Sequence, residues 1–388
     1  MKGAIKRKLS DVCTIIAGQS PESKYYNQDG IGLPFFQGKA DFGDLYPTIR
    51  TYCSTPTKIA QKNDILLSVR APVGATNLAP TKVCIGRGLT AIRPDDCLST
   101  KYLLLFFRYF QAELAQKGTG TTFNAITQTV VKNIEIPVPS ISAQERLVSK
   151  IEELFSEIDN AISSLKTAKR KLEIYRSAVL KHAFSNSDKW EKLSLGELMK
   201  EVRNGCGTKP SDSGNYKILT IGSVRAMKVS IDEHRYNDKP FDEKDRIHEN
   251  DLLFTRYNGS REFVGVCGVV PRLSESYAYP DKLIRFTPKI NNSIHSKYIQ
   301  FYVSHGKARR YIRSKIKTSS GQNGIAGSDL KKTEIYLPSL QEQKRIVENI
   351  ELRFGVYEDI DCTISCALRR AESLKQSILK KAFEGELL

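Results

Sequence analysis

The chain runs to 388 residues, room for two or three domains with cores of their own. With 40% hydrophobic and 27% charged residues it is neither low-complexity nor fibrous, and no apolar run approaches the ~18 residues that would cross a membrane. The formal net charge of +17 points to a polyanionic partner, because cationic side chains displace the counterions condensed on phosphates.

Residues 1–140 carry 17 Lys and Arg against 10 Asp and Glu. The opening MKGAIKRKLS is basic but lacks an apolar stretch, so no signal peptide is expected. Short β-like runs follow, ILLSVRAPVG from Ile65 and KVCIGRGLTAIRP from Lys82, bounded by Gly, Pro and Asn. The apolar run 102–107 falls in a helical patch, 100–117, and reads as buried. Residues 141–186 then read as one long helix that is almost neutral. Leu147, Ile151, Leu154, Ile158, Ala161, Leu165, Ala168, Leu172, Tyr175 and Val179 recur at steps of four and three, an a/d heptad seam.

Residues 187–340 return to the mixed pattern, with β-like runs at DLLFTR from Asp251, FVGVCGVVP from Phe263 and KLIRFTP from Lys282, and a helical patch over 296–315. Counted from Ser185, this stretch holds 27 Lys and Arg against 18 Asp and Glu. Residues 341–388 form a second long helix, with the seam Ile346, Ile350, Phe354, Tyr357, Ile360, Ile364, Ala367, Ala371, Leu374 and Ile378. That stripe slips at Arg353, and the helix carries Gly355. At ~1.5 Å per residue, roughly 40 residues make a helix of about 60 Å. Two such stripes in one chain are expected to bury each other, with the small Ala161, Ala168, Ala367 and Ala371 letting the axes approach. Val148, Phe155, Ile162, Val347 and Leu368 are expected beside the seam on exposed outer faces, and His182 on the seam itself.

The second half repeats the first. PSISAQERLVSKIEELF from Pro139 reappears as PSLQEQKRIVENIELRF from Pro338, an offset of 199 residues. The same offset carries Arg170, Glu173, Leu180, Lys181, Ala183 and Phe184 onto Arg369, Glu372, Leu379, Lys380, Ala382 and Phe383. NDILLSVR parallels NDLLFTRYN, and Asn124 aligns with Asn323. A repeat of this length makes two copies of one unit, suited to two related sites.

The tools of an enzyme acting on nucleic acid are missing. There is no GxxxxGK(S/T) phosphate loop, no Pro-Pro-aromatic tetrapeptide of the amino-methyltransferases, and no strand–helix context for FFQGKADFG. Asp281 with Glu342 and Lys344 resembles a nuclease set only by chance, and the five histidines lack metal spacing. The eight cysteines hold no Cys-x-x-Cys pair; Cys362 and Cys366, four apart, have no third ligand beside them. No metal is therefore expected, and an enzyme with an unrecognised active site (methyltransferase or nuclease) is the alternative. A structural coiled-coil adaptor is a third reading. Amide and guanidinium groups on Gly-rich loops suit DNA. The candidates are Gln37, Lys39, Arg70, Arg87, Thr121 and Asn124 in the first half. In the second they are Lys209, Arg256, Tyr257, Asn258, Arg261, Lys282, Ser319, Gln322 and Asn323.

The two helix lead-ins, IPVPSISAQERLV and LPSLQEQKRIV, together with GQSPESKYYNQDGIGLPFFQGKADFG, NDILLSVRAPVG and the closing KKAFEGELL, resemble the DNA-specificity subunit of Type I restriction-modification systems over essentially the whole chain. The resemblance implies an α+β fold class: two mixed α/β target-recognition domains joined by two long helices in an antiparallel coiled coil, with an internal pseudo-two-fold repeat. It implies a non-catalytic, cytoplasmic protein whose domains each read one half of a bipartite double-stranded DNA target. The helices would set the spacer and dock two modification (methyltransferase) subunits, with restriction/translocase subunits as further partners and no membrane. No cofactor is expected on this chain; S-adenosylmethionine and ATP belong to the partners.

Overall fold

The computed structural model describes residues 5–117, 125–185, 187–225, 227–289, 293–319 and 321–387. The chain divides into two compact units, Met1–Lys166 with Ser365–Leu388, and Thr167–Ile364. Among the described residues no helix is long and apolar enough to cross a membrane.

In the first unit a four-stranded antiparallel sheet runs Cys13–Ala17, Leu89–Pro94, Ile65–Ser68, Thr76–Leu78. Beside it a five-stranded sheet places Leu33–Phe36 parallel to Val83–Ile85. Helix α1 (Thr100–Gln116) buries the apolar run 102–107, and the short α2 (Gln128–Lys132) follows. In the second unit the corresponding sheet is Met199–Asn204, Leu283–Pro288, Leu252–Thr255, Cys267–Val269. The patch expected as one helix over 296–315 breaks at His305 into α4 (Ser296–Val303) and α5 (Gly306–Ser314), because Gly306 takes a positive φ of 59°. The short α6 (Gly327–Lys331) precedes the last strand.

The repeated motif NDILL/NDLLF is a turn built twice. Asn63 and Asn250 take φ of 68° and 69°, a left-handed conformation that asparagine tolerates. The next residue, Asp64 or Asp251, is buried and accepts a backbone N–H three residues back, from Gln61 at 2.7 Å or His248 at 2.8 Å. Arg93 clamps Asp64 through two 2.8 Å bonds; at the equivalent place Thr287 donates to Asp251 at 2.7 Å. Burial therefore raises the Asp251 carboxyl above its usual range, against the lowering effect of these bonds.

The long helices are α3 (Ile141–Ala183) and α7 (Leu340–Glu384); α7 runs through Gly355 unbroken. Each enters through a buried glutamine. Gln144 accepts the Ser99 N–H at 2.8 Å and donates to the Cys97 and Pro139 carbonyls at 2.9 Å. Gln343 accepts the His295 N–H and donates to the Ser293 and Pro338 carbonyls, all at 2.9 Å. Each unit also receives the far end of one long helix. Phe383 packs on Tyr102, Phe106 and Tyr109 in the first, and Phe184 on Tyr298 and Tyr302 in the second.

Within each unit α3 and α7 run antiparallel. In the first, Lys375 pairs with Asp159 and lies over the Phe155 ring at 5.0 Å. In the second, Lys169 meets Asp361 at 3.5 Å, and Arg176 lies 5.3 Å over Phe354 and 5.5 Å over Tyr357. These contacts correct the expected seam. Ile151, Ile158, Leu172, Val179, Ile350, Ile364 and Ile378 are buried, and Leu154, Leu165 and Tyr357 half-buried. Ile360 and Leu374 are exposed at 43% and 52%, as are Tyr175, Ala161 and Ala168. Other layers are made one residue later than expected: Phe155, Ile162, Lys169 and Arg176 on α3, and Asp361, Leu368 and Lys375 on α7, where the expected Phe354 is buried and kept. The physical reason is that charged residues with long stems and aromatic faces fill these layers, which a count of apolar residues alone passes over. The cation–aromatic contacts contribute about 0.5–2 kcal/mol each. Val148 and Val347 are buried in their domain cores, so the outer face expected there does not exist, and His182 is exposed rather than on the seam. Among the described residues, the large apolar side chains left exposed on α3 and α7 include Ile141, Ile174, Tyr175, Leu352, Val356, Ile360 and Leu374.

Burial lowers the pKa of His295, with Lys297 adding to it, and of His305, with Arg310 and Lys181 adding. The unfolded chain then holds these protons more tightly than the folded one. Their contribution to stability is whole above the ordinary value of about 6.5 and declines as pH falls below it. The chain is expected to melt at a lower temperature at pH 5.5 than at 7.5, with a smaller difference in the double variant His295→Gln, His305→Gln. Equal differences in the two proteins would assign the titration to other groups.

Candidate nucleic-acid interface

One backbone frame recurs in both units beside the end of the four-stranded sheet. In the first, the Val69 N–H donates to the Gly88 carbonyl at 3.0 Å, the Val69 carbonyl accepts from Ile126 at 2.9 Å, and Arg70 bridges to Ala125. In the second, the Arg256 N–H donates to the Lys282 carbonyl at 2.8 Å, the Arg256 carbonyl accepts from Ile325 at 3.0 Å, and Tyr257 pairs with Gly324. The flanking bonds repeat too: Gly18 to Leu89 at 2.9 Å, and Gly205 to Leu283 at 3.3 Å. The frames are therefore equivalent bond for bond while their side chains differ.

The frame gathers most of the residues expected at a DNA surface. In the first unit Gly88 donates to the Gln37 carbonyl at 3.2 Å, and a Cβ at Gly88 would lie 2.4 Å from that oxygen, so glycine alone fits. This close approach brings together Gln37, Arg87 and Arg70, all exposed, with Lys39 opening the turn Lys39–Asp41. Among the described residues none of these four side chains makes a hydrogen bond or ion pair. Thr121 and Asn124 lie outside the described residues.

In the second unit Tyr257–Asn258, Gln322–Gly324 and Lys317–Ser319 form a three-stranded sheet in that order. Arg256 and Lys282 lie 4.7 and 5.4 Å from the Tyr257 ring, and a Cβ at Gly324 would stand 2.6 Å from that ring. Tyr257 is thus held against backbone by a glycine and flanked by two cations. Ser319 and Gln322 are exposed at the hairpin end. The Asn323 amide is committed to the turn, accepting from Thr318 and donating to the Gly259 carbonyl, both at 2.8 Å. Asn258 accepts from the Ser260 N–H at 3.0 Å. Arg261 is exposed and donates to the Arg313 carbonyl at 3.3 Å. Lys209 lies on the loop after Met199–Asn204, exposed and outside the frame.

Sequence reasoning passed over α5 and the strand after it. Residues 306–317 hold six Lys and Arg and no acid. Lys307, Arg310, Arg313, Lys315 and Lys317 are exposed; Arg309 turns inward to the Val264, Gly265 and Glu262 carbonyls, and burial lowers its pKa to about 10. The charge run was the available signal. Among the described residues no cluster of three or more His, Cys, Asp or Glu is arranged to hold a metal.

The model of the Type I restriction modification DNA specificity domain matches residues 1–170 and again 187–351. The chain belongs to this family of DNA-specificity subunits. It is 31% identical to the EcoKI specificity subunit of Escherichia coli (strain K12) over 419 aligned residues, spanning all of this chain and 89% of that protein. It is 28% identical to the StySPI specificity subunit of Salmonella potsdam, covering 98% of this chain and 88% of that one. The crystal structure of the HsdS subunit from Thermoanaerobacter tengcongensis is 47% identical over 40% of this chain and 38% of that chain, with a TM-score of 0.38. The two family matches fall on the two halves of the internal repeat, and both α3 and α7 begin inside them.

Proposed function

We propose that this specificity subunit is a non-catalytic reader whose two globular domains each recognise one half of a bipartite double-stranded DNA target. The observation that carries the reading is the frame built twice with different side chains. One protein then presents two surfaces of the same geometry and different chemistry, as an asymmetric two-part site requires. The exposed cations of α5 and of Lys317, with Arg256 and Lys282 beside Tyr257, supply sequence-independent phosphate contacts, and Arg70 and Tyr257 face base edges. The paired α3 and α7 set the distance between half-sites and dock two modification subunits, which bring S-adenosylmethionine; restriction subunits bring ATP. A cytoplasmic location accords with that assembly.

The test is a domain exchange. Residues 187–340 are replaced by the matching segment of another family member, and the methyladenine motif of the assembled complex is mapped by single-molecule sequencing. One half-site should change and the other remain. A change in both halves, or in neither, would sink the modular reading. S-adenosylmethionine binding or DNA cleavage by the pure chain would favour the enzyme alternative.

A further inference from the structure

The equivalence of the two frames reaches single side chains. Arg70 and Tyr257 occupy the same place: each follows the frame residue whose N–H and carbonyl are both bonded, and each sits opposite the partner strand, at Ala125 or Gly324. The partner residue is matched to its occupant. Any Cβ at Gly324 would collide with the Tyr257 ring at 2.6 Å, whereas the first unit carries alanine opposite an arginine. The two other frame positions are also exchanged in character, Val69 for Arg256 and Gly88 for Lys282. The fold thus holds the backbone constant and varies what projects from it.

We infer that this position is the base-discriminating position of each domain: Arg70 reads guanine in one half-site, and Tyr257 reads a different base in the other. The inference rests on the two-domain reading proposed above. Arg70 is exposed and has no hydrogen bond or ion pair among the described residues, so its guanidinium fork is free to take the O6 and N7 acceptors of guanine in the major groove. Tyr257 cannot make that bidentate contact. Its ring is fixed between Gly324 and the flanking Arg256 and Lys282, leaving an edge and a hydroxyl to meet a base. The flanking cations meet phosphate, and each one removed reduces the salt dependence of binding by about one unit of slope.

The experiment uses the full chain assembled with its modification subunits, and compares wild type with Arg70→Ala, Arg70→Gln and the double variant Tyr257→Arg, Gly324→Ala. The readouts are the methylation motif and the salt dependence of DNA binding. Arg70→Ala is expected to relax a single guanine in one half-site, with a loss of about 5- to 150-fold against the original sequence. Arg70→Gln should shift that position toward adenine, the base a glutamine amide matches. The double variant should alter one position of the other half-site alone. A motif unchanged in every variant, or uniform weakening with a shallower salt slope for Arg70→Ala, overturns the inference and makes Arg70 a phosphate contact. A wild-type complex that yields no two-part motif sinks the underlying reading instead, so the two failures are separable. If Arg70→Ala fails to fold, Arg70→Gln keeps the side-chain stem and decides the case.

Discussion

Gln343→Leu should lower the melting temperature of the chain by about 6–12 °C, the equivalent of roughly 3 kcal/mol or more. Leucine fills the same volume but strands three backbone groups. The His295 N–H loses its acceptor, and the Ser293 and Pro338 carbonyls lose their donor. Each unsatisfied group costs about 1–3 kcal/mol, while the apolar gain is small because the glutamine side chain is already buried. Gln144→Leu should do the same in the first unit through Ser99, Cys97 and Pro139. The two sites share no partner, so the effects should add in the double variant. Calorimetry checks this. A change below about 1 °C in either single variant would mean that water replaces the lost bonds and that the glutamines do not anchor the helices.

Excising one heptad from each long helix should move the two half-sites about three base pairs closer, or abolish methylation of the original site. Removing residues 163–169 and 363–369 takes out segments that face each other, judged from the Asp159–Lys375 and Lys169–Asp361 pairs. Each helix shortens by about 10 Å, which at ~3.4 Å per base pair is about three steps of the duplex. A seven-residue excision returns every seam layer to an equivalent layer, so the packing of α3 on α7 is kept. The motif of the assembled complex, mapped as above, reads the outcome. An unspecified gap of unchanged length with normal activity would show that the helices do not set the spacing.

Much of the architecture was legible in the amino acids because repetition is itself a structural statement. The offset of 199 residues that joins PSISAQERLV to PSLQEQKRIV also joins Phe155 to Phe354, Arg176 to Lys375 and Gln144 to Gln343. Heptad spacing placed two long helices, and the basic excess lies on the segments outside them. The missing motifs pointed away from catalysis, and the family match covers both halves.

Tertiary structure decided the rest, for two physical reasons. The first concerns the seam. Apolar counting chose Ala161, Ala168, Tyr175, Ile360 and Leu374, yet these face water, and the layers belong to Lys169, Arg176, Asp361 and Lys375 with the aromatic rings beside them. Charged residues read as surface in a sequence; only a partner helix reveals a stem laid along an aromatic face. The second concerns the frame. Arg70 and Ala125 are 55 residues apart, and Tyr257 and Gly324 are 67 apart. Strand pairing makes them neighbours, and nothing local in either segment specifies which loop will lie opposite. The chain by itself therefore determined that there are two like readers joined by two long helices. Folding alone determined which side chain stands at the same place in each.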